Sequence, residues 1–148
     1  MEDLYREVVI DRYRHPHHRH VLDSATAQAH TYNPLCGDEL TIFVRVQDQT
    51  LAEAAFDAHG CSISQASADL MIDAVQGQSL AGVRERITAF RRLLAVDDAP
   101  ECAEVGEAQV LRAVRKYPVR VKCALLAWDT LETALEGSNR VGGEAPDG

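Results

Sequence analysis

The hexapeptide Asn33–Asp38, N-P-L-C-G-D, sets a thiol two positions before a carboxylate, with Gly37 between them. Pro34 fixes its own φ and biases Asn33 toward extended geometry, while Gly37 reaches backbone angles closed to other residues, so Cys36 and Asp38 can bend toward one point. Alone this is an ordinary turn composition. It gains weight from two later cysteines. Cys61 follows His59-Gly60 where a strand pattern gives way to a helical one, and Cys123, in R-V-K-C-A-L-L-A-W, stands where the last helical pattern begins. Three thiols and a carboxylate, each at the end of an element, would make a four-coordinate zinc site. Free N–H groups at helix starts favour thiolates, and Arg120 and Lys122 add positive charge beside Cys123. The wide separations of Cys36, Cys61 and Cys123 match no zinc-finger spacing, so the site is expected to be assembled by a finished fold rather than to create it. Asp38 is a harder, more exchangeable ligand than a fourth thiolate, which suits a site that opens. Cys102 has no such setting and reads as a small buried hydrophobe.

The elements that must position these residues follow from periodicity. Leu4, Tyr5, Val8, Val9 and Tyr13 predict a helix over 3–14, stopped at His15 by Pro16. His15-Pro16-His17-His18-Arg19-His20 holds four of the chain's six histidines. It reads first as a solvated loop, with an auxiliary metal or partner contact as the alternative. A short edge strand is expected over Ala27–Tyr32. Leu40, Ile42, Val44 and Val46 alternate with Thr41, Phe43 and Arg45, and a second strand over Leu51–His59 follows a turn at Asp48-Gln49. From Ser62 the period becomes helical, with Ser62 or Ser64 as the expected cap and Gly77 as the stop. Ser79 caps a helix carrying Leu80, Val83, Ile87, Phe90 and Leu94. The acidic stretch Asp97–Glu107 reads as a surface loop, a helix follows over Glu107–Lys116, and the last helix is expected over about 122–136. The expectation is one α+β domain, residues 1–136, with a glycine-rich tail over 137–148.

The 46% hydrophobic and 26% charged residues are a globular balance, and 148 residues suit one domain with a sizeable core. A formal net charge of −8, with no basic block to track a phosphate backbone, argues against nucleic acid. No apolar run approaches the length of a membrane span or a signal core, so no membrane role and a cytoplasmic location are expected. There thiols stay reduced, and metal or thiol chemistry is the preferred reading of the four cysteines.

Four stretches carry a resemblance: L-Y-R-E-V-V-I-D-R-Y, N-P-L-C-G-D, H-G-C-S-I-S-Q-A-S-A-D-L-M and P-V-R-V-K-C-A-L-L-A-W. Over nearly all of residues 3–136 the chain resembles the SufU/IscU family of iron–sulfur cluster assembly proteins. The resemblance implies a three-stranded antiparallel sheet with helices packed mainly on one side. It implies metal or cluster ligation by Cys36, Asp38, Cys61 and Cys123, with a pyridoxal-phosphate-dependent cysteine desulfurase (SufS-like) as partner. IscU-type scaffolds carry a histidine just before the last cysteine, where this chain has Lys122. The segment between Cys61 and Cys123 is also longer than theirs. Both features resemble the SufU branch, which implies a bound Zn2+, Cys36 as persulfide acceptor, and delivery to a SufBCD-like cluster assembly complex. The alternative is a scaffold on which a transient iron–sulfur cluster is built. The family's P-R-N loop reads Pro16-His17-His18 here, and the chaperone signal of IscU is replaced by Lys116-Tyr117-Pro118-Val119-Arg120.

Overall fold

The computed structural model describes residues 2–34, 37–96 and 102–141. Three strands form one antiparallel sheet in the order β1 (Ala27–Asn33), β2 (Asp38–Gln47), β3 (Thr50–His59). The alternation read in the sequence sets the packing. Leu40, Ile42 and Val44 of β2 are fully buried beneath helices, with Ala54, Phe56 and Ala58 of β3 beside them. The opposite face is not simply solvated: Phe43 and Ala55 are covered there by Leu22 and Ala25 from the segment before β1. The β2–β3 turn places both Asp48 (φ 53°) and Gln49 (φ 61°) in the left-handed region, as the twist of a two-residue hairpin demands.

Helix α1 (Glu2–Arg14) packs on α2 (Ser62–Val75), while α4 (Pro118–Val141) lies across β1 and β2. Helix α3 (Leu80–Ala95) is capped by Ser79, whose hydroxyl oxygen accepts from Gly82 N–H at 3.0 Å. A 3₁₀ segment, Ala103–Lys116, kinks at Gly106 (φ 57°) and packs against α2 and α3. The helical turns therefore begin inside the acidic stretch expected to be a loop. Val105 and Ala108, each fully buried, pull it onto the core.

Two side-chain ties hold the helical layer. Trp128 of α4 stacks on Phe90 of α3, with ring centroids 4.1 Å apart and planes 7° from parallel. Arg12, near the end of α1, is buried against Asp69 of α2 at 2.7 Å and also reaches Asp73 and Glu107. Breaking such a buried pair by removing one partner costs about 3–5 kcal/mol, so this contact fixes how α1 and the loop after it sit on α2. Helix α4 runs through Val141, past the end expected for it, and the rest of the expected tail, 142–148, lies outside the described residues.

Candidate metal centre

Asp38 opens β2, paired with Asn33 across the β1–β2 hairpin. Because Glu39 pairs with His59, the end of β3 delivers Gly60 and Cys61 to the flank of Asp38. The carboxylate is fully buried, and Oδ1 accepts the Cys61 N–H at 2.6 Å. Gly60 makes that approach possible. Its φ is +125°, and a Cβ there would stand 2.3 Å from Asp38 Oδ1 and 2.8 Å from Asp38 Cα.

Cys61 is itself the N-cap of α2, in place of the serines expected for that role. Its backbone is extended (φ −73°, ψ 155°) and its sulfur accepts from Ser64 N–H at 3.4 Å. The Ser64 hydroxyl turns back to the Cys61 carbonyl at 3.0 Å. Sγ also lies 3.4 Å from Asp38 Oδ2, so a strand start and a helix start meet through these two residues.

Cys123 arrives differently from the expectation. Proline is well suited to a helix's first position, and α4 begins at Pro118, with the Val121 N–H bonded to the Tyr117 carbonyl at 3.0 Å. Cys123 therefore sits inside α4, past its free N–H groups, and is 4% exposed. Its position is set by α2 instead. The Ser67 hydroxyl donates to the carbonyl of Ala124 at 2.6 Å and accepts from Trp128 Nε1 at 3.1 Å. Tyr5 of α1 feels the charge of both sulfurs. Burial raises its phenol pKa, and the charges of Cys61 and Cys123 push the same way against the lowering effect of Arg120.

The ligand atoms of Asp38, Cys61 and Cys123 all lie within 4.8 Å of one another. Sulfurs at about 2.3 Å from a tetrahedral ion stand about 3.8 Å apart, so modest side-chain rotation closes the set. Two thiols and a carboxylate suit a borderline-soft divalent ion of the zinc class. Cys36 lies outside the described residues, between Pro34 and Gly37, whose N–H bonds to the Asn33 carbonyl at 2.8 Å. Cys102 stands apart from this set, at the start of the 3₁₀ segment and half-buried against the core. Lys122 is exposed. Periodicity could not single out Gly60, Ser67 or Tyr5, whose relevance arises only from contacts across the fold. A second group of donors, His17, His18 and Asp73, gathers on the far side of Asp69.

Comparison with known proteins bears on this centre. The family described as NifU-like N terminal domain matches residues 4–124. The chain is 36% identical to the iron-sulfur cluster assembly scaffold protein IscU of Streptococcus pyogenes serotype M1, over 93% of this chain and 86% of that protein. It is 31% identical to the zinc-dependent sulfurtransferase SufU of Bacillus subtilis (strain 168), over 94% and 96%. Among solved structures, a proposed iron-sulfur cluster assembly scaffold protein for the SUF system from Fervidobacterium islandicum AW-1 superposes with a TM-score of 0.79. That match is at 29% identity and covers 90% of this chain and 98% of the other.

Proposed function

The chain belongs to the NifU-like N-terminal domain family, and from that premise we propose that it is a zinc-dependent sulfur carrier for iron–sulfur cluster assembly. In this reading it accepts persulfide sulfur from a pyridoxal-phosphate-dependent cysteine desulfurase (SufS-like) and passes it to a SufBCD-like assembly complex. The observation that carries the reading is the convergence of buried Asp38 and Cys123 with half-buried Cys61 on one point. With Cys36 as fourth ligand, these residues would hold zinc. Bound there, the ion supplies a fixed positive charge that keeps its cysteines as thiolates. Lys122, standing before the last cysteine, and the relative named as a zinc-dependent sulfurtransferase both favour the carrier.

The chemistry asked of the chain is thiol exchange. The Cys36 thiolate attacks the outer sulfur of the donor's persulfide. A new S–S bond forms on Cys36, the donor's S–S bond breaks, and the donor cysteine leaves as a thiolate. The outer sulfur keeps its proton or charge, and nothing is oxidised or reduced overall. Cys61 and Cys123 stay as anchors, one bonded to Ser64 at a helix cap and the other seated by the Ser67 bond to its neighbour. Asp38 keeps the backbone of Cys61 in register through the exchange.

A second reading, a scaffold for a transient iron–sulfur cluster, is favoured by the relative named IscU and uses the same donors. One experiment separates the two. The zinc-loaded protein is incubated with a SufS-like desulfurase and cysteine, then mapped by peptide mass spectrometry with its metal measured in parallel. A carrier gains one sulfur on Cys36, retains zinc and speeds the desulfurase. A stable coloured cluster that displaces zinc, or added sulfur confined to Cys102, rejects the carrier.

A further inference from the structure

The histidine loop is not the free, solvated segment its composition suggests. Asp69, fully buried in α2, accepts the backbone N–H groups of both His17 and His18 on one oxygen, at 2.8 Å each. From the other side the Phe56 N–H of β3 donates to the His18 carbonyl at 3.0 Å. Arg19 then reaches the Ala58 carbonyl at 2.7 Å and Gln65 Oε1 at 3.0 Å. The loop backbone is thus pinned between a strand and a helix, and its imidazoles are brought to Asp73, one turn along α2 from Asp69. His18 Nε2 lies 2.7 Å from Asp73 Oδ1, and the His17 ring stands edge-on to that of His18 at 6.1 Å.

We propose that His17, His18 and Asp73 form a second metal site, which takes a divalent transition ion of the zinc, nickel and cobalt class through imidazole nitrogen and carboxylate oxygen. Their ligand atoms lie within 4.8 Å of one another, and His17 is exposed and able to turn inward. Imidazole with carboxylate is a donor pair that such ions accept, and it differs in kind from the thiol set at Asp38. Local charge favours a cation. Arg12 faces the site, and the carboxylates of Asp69, Asp73 and Glu107 all contact its guanidinium. Arg12 bonds to Asp73 Oδ2 and fixes the carboxylate's orientation as an outer partner does, while Oδ1, hydrogen-bonded to His18 Nε2 at 2.7 Å, exchanges that bond for the ion.

The test is a Co2+ titration of the full-length, zinc-loaded protein, followed by calorimetry and visible absorption. One further ion per chain should bind, with none of the sulfur-to-metal charge-transfer absorption that thiolate ligands produce. His17→Ala, at an exposed position, and Asp73→Asn should each weaken that binding at least about tenfold, the scale that even an outer partner of a metal ligand commands, while leaving the first zinc in place. His15→Ala and His20→Ala should leave it unchanged. The proposal is overturned by absence of a second ion, by thiolate charge-transfer absorption on its binding, or by equal weakening in the His15 and His20 variants.

Discussion

Gly60 presses its bare Cα against the carboxylate of Asp38 so closely that a methyl group in its place would lie 2.3 Å from Oδ1. The contact joins the end of β3 to the start of β2 at the point where the metal donors gather. Gly60→Ala combines that clash with a φ of +125°, and should cost about 3 kcal/mol and most of the bound metal. Thermal unfolding and metal analysis of the variant check this. Wild-type stability with a full metal complement would show that Asp38 moves aside without consequence.

Asp38 has two duties that a pair of substitutions can separate. Asp38→Asn keeps an oxygen for the Cys61 N–H but loses the anionic ligand, so stability should hold while zinc exchanges faster. Asp38→Ala also strands that N–H beside a buried site and should cost about 2 kcal/mol more. Chelator-driven zinc release and denaturant unfolding report the two effects. Equal release rates for wild type and both variants would leave the carboxylate a purely structural role.

The cysteines should divide sharply. Cys61→Ala and Cys123→Ala should each release the ion and remove about 3 kcal/mol of ligand-linked stability, for an ion present at about a hundred times its Kd. Cys102→Ala should do neither, because its sulfur stands outside the donor set. Metal content after gel filtration and the melting temperature are the readouts. A Cys61→Ala/Cys123→Ala protein that keeps full zinc would remove the site.

Glu132 gives a pH prediction at the α3–α4 tie. Its hydrogen bond from Arg91 holds the carboxyl below its ordinary value of 4.5, outweighing a smaller upward push from burial. A depressed acid stabilises the fold above its unfolded pKa and loses that contribution as pH falls through the lower folded value. Glu132→Gln should therefore cost about 0.5 kcal/mol at neutral pH, the scale of a solvent-screened pair, and nothing at an acid pH below the lowered folded value. Denaturant midpoints at the two pH values measure it; a difference that persists in acid would mean packing, not charge.

The hairpin and the helix after Cys61 are legible in the sequence because Leu40-Ile42-Val44 and Ile63-Ala66-Leu70 repeat at periods of two and of three to four. Asp38 and Cys61 stand out by type and by position at element ends, and Cys123 by type alone. The route by which Cys123 reaches the others does not. Pro118 signals the end of one helix as readily as the start of the next, so α4 begins four residues before the expected 122. The Cys61 cap is hidden for a similar reason, since Ser62 and Ser64 look like better caps until the sulfur's bond to Ser64 N–H is seen. The histidine loop is the clearest loss. Its order comes from Asp69, 52 positions beyond His17, and no local pattern reports a partner at that distance.

Trp128 is the chain's one tryptophan, wholly enclosed, with Phe90 parallel to its ring and its N–H on the Ser67 hydroxyl. That same hydroxyl donates to the carbonyl of Ala124, the residue after Cys123. The molecule thus carries its own optical gauge of the metal centre. A shift of α4 against α2 alters the indole's hydrogen bond and its neighbours together, so intrinsic fluorescence should report such a shift in unlabelled protein. Tyrosine adds little at long excitation wavelengths, which makes the signal one residue's own.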